Sequence, residues 1–497
     1  MLKALIIGDI GRGVGYHVGD DAMTLGLLKA AERAGLQLDA QLVASDPVIA
    51  SARFGIPAVP LVGFEQVADD AARAELLASG ALPVETRRAL ESADALIVAG
   101  GGNISRSWPA LVHERLALAR AARRRGIPVL ITGQSLGPWF GPEVGSAARE
   151  LLSMAELVGV REQSSYWLAG QLGVPAQRLV LTSDDALGLI PQPPAVVPAA
   201  PFVAVTINDL GPDRIPEFGS QLAQLQQQLE CPLVLVPHVG NLDGAPADDV
   251  AVAHRLAELV SAEVAELPTP QQAVWYCQHA ELVISSRYHP VVFAIEQRRP
   301  VLFLAQDSYT AMKGGGALEL AGLGGWLLPV DDLGQLSVAG AELWNRRHDV
   351  TAHLAGQRPD HLPAMLARLA GESAPIPAVV PRPSGPRPTG AWARPSQTLV
   401  NLWDVDANRW FDERDLLVTS VRELTQRAET AERYAASLLG RSETAEQFAG
   451  ALVQRCEDAE EFAASLLTRA ETAERYAASL QETLARRDHG AAAELTE

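Results

Sequence analysis

The sequence predicts an α/β fold: two doubly wound, Rossmann-like lobes, followed by a disordered linker and a long α-helical coiled coil. Three observations carry this reading. Short apolar runs ending in Gly, Asp or Ser alternate with amphipathic stretches. The alternation stops once, at a proline cluster, and restarts. A 14-residue repeat then fills the C-terminal region.

The first lobe is expected over residues 1–190. Its strand candidates are residues 4–7, 41–43, 95–99, 129–132 and 157–160, with helical patterns such as 22–34 and 111–125 between them. Strands alternating with helices imply a parallel sheet covered on both faces. Residues 191–201 hold five prolines. Proline removes a backbone donor and disfavours helix before it, so this stretch reads as a stiff connector. The second lobe, residues 201–372, repeats the pattern at 203–207, 233–236, 282–284 and 301–304. Two such lobes hold ligands in the cleft between them, at the carboxyl ends of their strands. The architecture resembles the two-lobed glycosyltransferase fold called GT-B.

Residues 373–398 are rich in Pro, Ser, Arg and Gly, a composition that buries too little apolar surface to order itself. A disordered tether is expected there. Residues 411–487 contain four 14-residue repeats, starting at Arg427, Arg441, Arg455 and Arg469. Fourteen residues are two heptads, which implies a left-handed coiled coil. Its seam would use Leu438, Ala445, Leu452, Ala459, Leu466, Ala473 and Leu480, with Ala435, Ser442, Ala449, Cys456 and Ala463 between them. A homo-oligomer or a docked partner would cover this seam.

Composition narrows the function. The 497 residues amount to about three domain equivalents. A formal charge of −19 argues against a general nucleic-acid binder, so an anionic substrate needs a local basic cluster. The three cysteines, Cys231, Cys277 and Cys456, form no CxxC pair, and a reducing compartment fits. No apolar run approaches the ~18–20 residues of a membrane span. Residues 1–9 read as a buried strand rather than a signal peptide. A cytoplasmic protein is expected, with peripheral membrane contact left open.

Six constellations could carry chemistry. The loop from Gly8 to Ala22, with Tyr16, His17, Gly19 and Asp20, follows a strand and opens a helix, where glycines let backbone N–H groups approach a ligand. It is out of register with GxGxxG, and no GKS or GKT follows. Gly100, Gly101, Gly102 and Asn103 end a second strand, and Gly133, Gln134 and Ser135 end a third. Arg161 lies just past a fourth strand, and its planar fork suits carboxylate or phosphate. Arg287 and His289 stand at a helix entrance closed by Pro290, where an imidazole can act as acid or base near neutral pH. Lys313 is one of only three lysines against 38 arginines, and it precedes Gly314, Gly315 and Gly316. No cluster has metal-ligand spacing, and no metal or cofactor is expected.

The pieces GYHVGDDA, VAGGGN, GQSLGP, VRE-x-S, SDDA, SRYHP and Lys313 with its glycines, in this order, resemble the polysaccharide pyruvyltransferase family. The resemblance spans residues 3–330. It implies transfer of the enolpyruvyl carbons of phosphoenolpyruvate to two hydroxyls of a sugar, giving a cyclic pyruvate ketal and phosphate. It also implies donor binding and catalysis by Arg161, His289 and Lys313, and an acceptor region in the N-terminal Gly-Asp loop. Where the family usually has Asn, two residues before the Gly-Asp pair, this chain has His17. Arg287 and Gly314 join the expected donor site. Tyr16, His17, Gly19, Asp20, Gly101, Gly102, Asn103, Gln134 and Ser135 form the expected acceptor site. The competing expectations are a GT-B glycosyltransferase using a nucleotide sugar and a non-catalytic oligomeric scaffold.

Overall fold

The computed structural model describes residues 1–393, apart from 13–14, 68–69, 209, 212, 244–247, 357–359, 372–375, 377–381 and 391. It also describes residues 453–475, apart from 456, 459 and 473. The chain divides into two units, Met1–Val400 and Asn401–Glu497, each taken by itself below.

Sixteen strands are numbered in chain order among the described residues. In the first half they are β1 (Leu2–Ile7), β2 (Tyr16–His17), β3 (Leu38–Ala44), β4 (Ala58–Pro60), β5 (Ala95–Val98), β6 (Gly101–Ile104), β7 (Val129–Leu136), β8 (Leu157–Val160) and β9 (Leu179–Leu181). The second half has β10 (Val203–Thr206), β11 (Leu233–Leu235), β12 (Val239–Gly240), β13 (Ala262–Val264), β14 (Leu282–Ser285), β15 (Val301–Ala305) and β16 (Leu327–Pro329).

The first sheet runs β4-β3-β1-β5-β7-β8-β9, with β6 also pairing β7, and every pairing is parallel. All eight residues of β7 are buried, as expected for a central strand covered on both faces. The second sheet runs β13-β11-β10-β14-β15-β16, again all parallel. Each sheet reverses its winding once, between β1 and β5 and between β10 and β14. Loops leaving such switch points diverge and open a crevice at the carboxyl edge of the sheet. Those are the loops that carry Gly8–His17, Gly100, Ser286 and Arg287.

A two-stranded antiparallel ribbon ties the lobes together. β2 comes from the first lobe and β12 from the second, with His17 opposite Val239 and Tyr16 opposite Gly240. The Val18 N–H donates to the His238 carbonyl at 3.0 Å, and the Gly15 N–H donates to Asn241 Oδ1 at 3.0 Å.

Two boundaries differ from expectation. The Leu362–Leu369 helix, assigned from sequence to the second lobe, packs on the first. Its Leu362, Met365 and Leu366 share one core with Ala4, Ile6 and Leu27. Its apolar face is the physical cause, because the exposed flank of the first sheet would otherwise be bare. The expected disordered tether is also corrected over its described part. Trp326 Nε1 donates to the Pro386 carbonyl at 2.7 Å, and the Gly385 N–H donates to the Gly322 carbonyl at 2.8 Å. The Glu342 carboxylate accepts from the N–H and hydroxyl of Thr389, the Gly390 N–H and Trp392 Nε1. Trp392 is 4% exposed, with its ring centroid 5.9 Å from that of Trp326. One anchored tryptophan and one carboxylate order a stretch whose average composition is that of a linker.

In the second unit, the described residues of 453–475 are helical. Ala463 and Leu466, both expected on the seam, are buried, while Phe462 and Leu467 are exposed. The rest of the expected coiled coil, 411–487, lies outside the described residues. Among the described residues no helix is long and apolar enough to cross a membrane.

Candidate active site

The carboxyl edges of both sheets meet where Gly19 of the first lobe faces His289 of the second. A Cβ at position 19 would overlap the imidazole, so the close approach requires glycine. A second contact joins Gly102 to the turn that carries Lys313. The Tyr309 hydroxyl donates to the Gly102 carbonyl at 2.6 Å, and a Cβ at Gly102 would lie 3.1 Å from Lys313 Nζ.

Arg161 leaves the end of β8 and is buried. Its Nη1 donates to Asp184 Oδ2 at 2.6 Å, and its Nε to Ser135 Oγ at 2.9 Å. The guanidinium lies over the Tyr288 ring, 4.2 Å from its centroid. Burial would raise the Asp184 carboxyl, yet Arg161 and His289 hold it below the ordinary carboxylate range. Ser135 Oγ passes the network on by donating to Glu162 at 3.0 Å, and Ser165 Oγ donates to the same carboxylate. Burial pushes Glu162 up to about 6, against the pull of Arg161 and these serines.

His289 sits in the first turn of the Tyr288–Glu296 helix. Its ring is edge-on to Tyr288, with centroids 5.1 Å apart. Its Nε2 is buried without a hydrogen-bond partner among the described residues and lies 3.9 Å from Asp184 Oδ1. Burial drives its pKa down to about 3; Asp184 opposes this, and Arg161, Lys313 and His17 add to it. The resting imidazole is therefore neutral at physiological pH.

Lys313 belongs to a π-helical turn, Ala311–Gly315, a local irregularity that recurs at functional sites. Gly314 and Gly316 let that turn press onto Phe303 and Glu162, where a Cβ would collide. The ammonium lies 3.9 Å from the Tyr309 ring centroid and 5.7 Å from that of Tyr288. No carboxylate is paired with it among the described residues.

The remaining expected residues divide into two groups. Asp20, His17 and Asn103 line the first-lobe loops. His17 Nδ1 stands 3.8 Å from Asp20 Oδ2, and Asn103 Nδ2 donates to Asp9 Oδ2 at 3.4 Å. Burial and the charge of Asp9 push Asp20 up to about 7, against Lys313, Arg12 and Arg161. The others are scaffolding. Tyr16 is buried under Arg53, which pairs with Asp21 at 2.7 Å. Gln134 is fully buried, with Nε2 donating to the Ala99 carbonyl at 2.5 Å. Arg287 forks onto buried Asp249 at 2.5–3.2 Å, so its charge is already matched.

Sequence reasoning gave no role to Asp184, Asp185 or Tyr288, although SDDA and SRYHP contain them. Asp185 accepts from the Gly100 N–H at 2.8 Å and from the Thr132 hydroxyl, and its carboxyl sits against Gly133. It pins two glycine loops at once. Burial and the charge of Asp184 push it up to about 7. The signal available was the doublet itself: two adjacent acids after a strand in an α/β lobe are costly to bury unless both are used.

Two parallel sheets wound about a shared cleft define a GT-B-like α/β protein. A UDP-N-acetylglucosamine 2-epimerase matches with TM-score 0.51 and 12% identity, over 76% of this chain and 99% of that one. A putative UDP-N-acetylglucosamine 2-epimerase from Listeria monocytogenes matches with TM-score 0.50 and 12% identity, over 74% and 95%. These likenesses show the fold alone. No curated protein matches the chain. The sequence model of the polysaccharide pyruvyl transferase family matches residues 17–308, and the chain belongs to that family.

Proposed function

We propose that this chain transfers the enolpyruvyl carbons of phosphoenolpyruvate to two hydroxyls of one sugar in a cell-surface polysaccharide or its precursor, forming a pyruvate ketal and releasing phosphate. One observation carries the reading. A lysine without an acid partner and an imidazole with an unpartnered Nε2 converge from the second lobe onto Gly102 and Gly19 of the first.

The donor brings a carboxylate and a phosphate. Lys313 supplies a charge to which no carboxylate is directly paired among the described residues. Arg161, clamped by Asp184 and Tyr288, supplies a fixed field rather than a mobile contact. Fixed charges cost no reorganisation as phosphate charge develops. The methylene carbon gains a proton, a sugar hydroxyl adds to the adjacent carbon, phosphate leaves, and a second hydroxyl closes the ring. Two hydroxyl protons leave; one replaces that taken up at carbon and one ends on the phosphate. His289, neutral at rest with Nε2 unpartnered, suits a group that accepts a hydrogen bond from the attacking hydroxyl, and the nearby Asp184 carboxylate and the anionic donor would favour any proton it takes up. Asp20, held near neutrality, suits the second proton carrier. No cofactor enters the proposed reaction.

The test is phosphate release from phosphoenolpyruvate with a panel of sugar acceptors. His289→Ala and Lys313→Met are each expected to lose about 10²-fold or more. Phosphoenolpyruvate, and not UDP, should raise the melting temperature of the wild type. Unchanged donor turnover in both variants would overturn the assignment.

A further inference from the structure

Arg115 lies mid-way along the Pro109–Arg124 helix of the first lobe and is 0% exposed. Its Nη1 donates to the Leu111 carbonyl at 2.8 Å, but Nε and Nη2 are buried without a partner. No carboxylate pairs with it among the described residues. Its neighbour Glu114 is already engaged by the N–H groups of Val62, Gly63 and Phe64, each at 2.7 Å. A buried guanidinium without an ion pair is costly, and folded proteins rarely keep one without use.

Its position supplies the use. A Cβ at Gly101 would lie 4.0 Å from Arg115 Nη2 and 3.7 Å from Gln134 Oε1, itself buried and unpartnered. The guanidinium therefore stands behind Gly101, one residue from the Gly102 that faces Lys313. The acidic charges acting on it through space are Asp9, Asp20 and Glu114, the first two on the cleft loop.

We propose that Arg115 is a hidden cation of the donor site, a positioning residue that attracts the anionic donor from behind Gly101 without touching it. This rests on the donor being phosphoenolpyruvate. It adds a charge that neither the motifs nor the hydrogen-bonded site contain. It also accounts for an uncompensated arginine in a chain that has acids to spare.

The experiment compares full-length wild type, Arg115→Met and Arg115→Lys by thermal melting, titration with phosphoenolpyruvate and with inorganic phosphate, and steady-state kinetics. Methionine keeps most of the volume and removes the charge. Without ligand, Arg115→Met should melt about 2–4 °C higher, because an unmatched buried charge is relieved. Its Kd for both anions should rise at least about tenfold, the effect of one unit charge about 10 Å away at an effective dielectric of about 20. KM should rise with it while kcat changes less than about twofold, since the charge acts on ground and transition states alike. Arg115→Lys should recover most of the affinity. A lower melting temperature in Arg115→Met would show an ordinary structural arginine and overturn the proposal, as would wild-type affinity for both anions. If the wild type binds phosphate but not phosphoenolpyruvate, the donor assignment falls, and the phosphate arm alone judges Arg115.

Discussion

Gly19→Ala tests the site with the smallest possible perturbation. Gly19 is the second residue of the Val18–Arg33 helix, and its backbone is not in the left-handed region, so alanine is conformationally allowed. Helix propensity alone would favour the change by about 1 kcal/mol. The added methyl, however, would overlap three atoms of the His289 ring, Nδ1, Cε1 and Cγ. To reach ordinary contact the ring must retreat by more than an ångström. Overpacking of this kind costs about 1–3 kcal/mol, so the net loss of stability is small and the lobes stay folded. Catalysis should suffer far more, because a displacement of about 1 Å costs on the order of 10²-fold. The assay is phosphate release under saturating donor, with circular dichroism to confirm the fold. Gly102→Ala is the comparison: its methyl would meet the far end of Lys313 at 3.1 Å and the Tyr309 hydroxyl at 2.6 Å, groups that can swing aside. A smaller loss is expected there. Full activity in Gly19→Ala would show that the imidazole is not needed where it stands, and would refute the reasoning.

Three further outcomes follow from the structure. The Asp185 carboxyl is raised by burial, so between about pH 4 and 7 the folded state holds a proton that the unfolded chain has lost, and wild-type stability falls with rising pH by up to about 1.4 kcal/mol per unit. Asp185→Asn removes this slope, so its melting temperature should gain on the wild type from pH 4 to pH 8; parallel curves would contradict the assignment. Trp392→Ala should destabilise the second lobe by about 3 kcal/mol, read by urea melting, because the ring is buried against Trp326 and donates to Glu342. Full-length protein should run in light scattering as an extended oligomer and a chain ending near residue 400 as a compact monomer; monomers in both cases would end the coiled-coil proposal.

Much of the fold was legible because parallel strands have a local signature. The runs at 95–99 and 129–132 are apolar on both faces and end in glycine, and the structure places them side by side as β5 and β7. The crossing of the Leu362–Leu369 helix to the other lobe was not legible, since an amphipathic helix does not name the sheet it will cover. The Pro-rich stretch was misread for a related reason. Mean composition describes a chain without partners, whereas Trp392, Thr389 and Glu342 make a specific anchor across 47 or more residues. Within the site, His289 and Lys313 were legible as chemical types at strand or turn ends. The burial of Gln134 and Tyr16 was not, because a Gly-rich strand end looks the same whether its side chains face ligand or scaffold.

The charges also divide the cations in and around the site into two kinds. Arg161, Arg287 and Arg53 each meet an acid, Asp184, Asp249 and Asp21, at 2.5–2.7 Å. A matched pair in a buried wall resists movement, and its acid cancels part of the field that the arginine offers a ligand. Lys313 and Arg115 have no such partner among the described residues. On the proposed reading, the binding potential of the cleft comes chiefly from Lys313 and Arg115, while the matched arginines mainly set its shape. On this view, creating a carboxylate beside Lys313 by Gly102→Asp should abolish donor binding more completely than removing Arg287. The new acid would cancel the field, and a Cβ there already approaches the ammonium to 3.1 Å. Arg287→Met, by contrast, leaves Asp249 buried and unpaired, and should show itself first as lost stability. Titration with phosphoenolpyruvate and thermal melting of the two variants distinguish these roles, and a reversed pattern would mean that the arginines, rather than the unmatched cations, hold the donor.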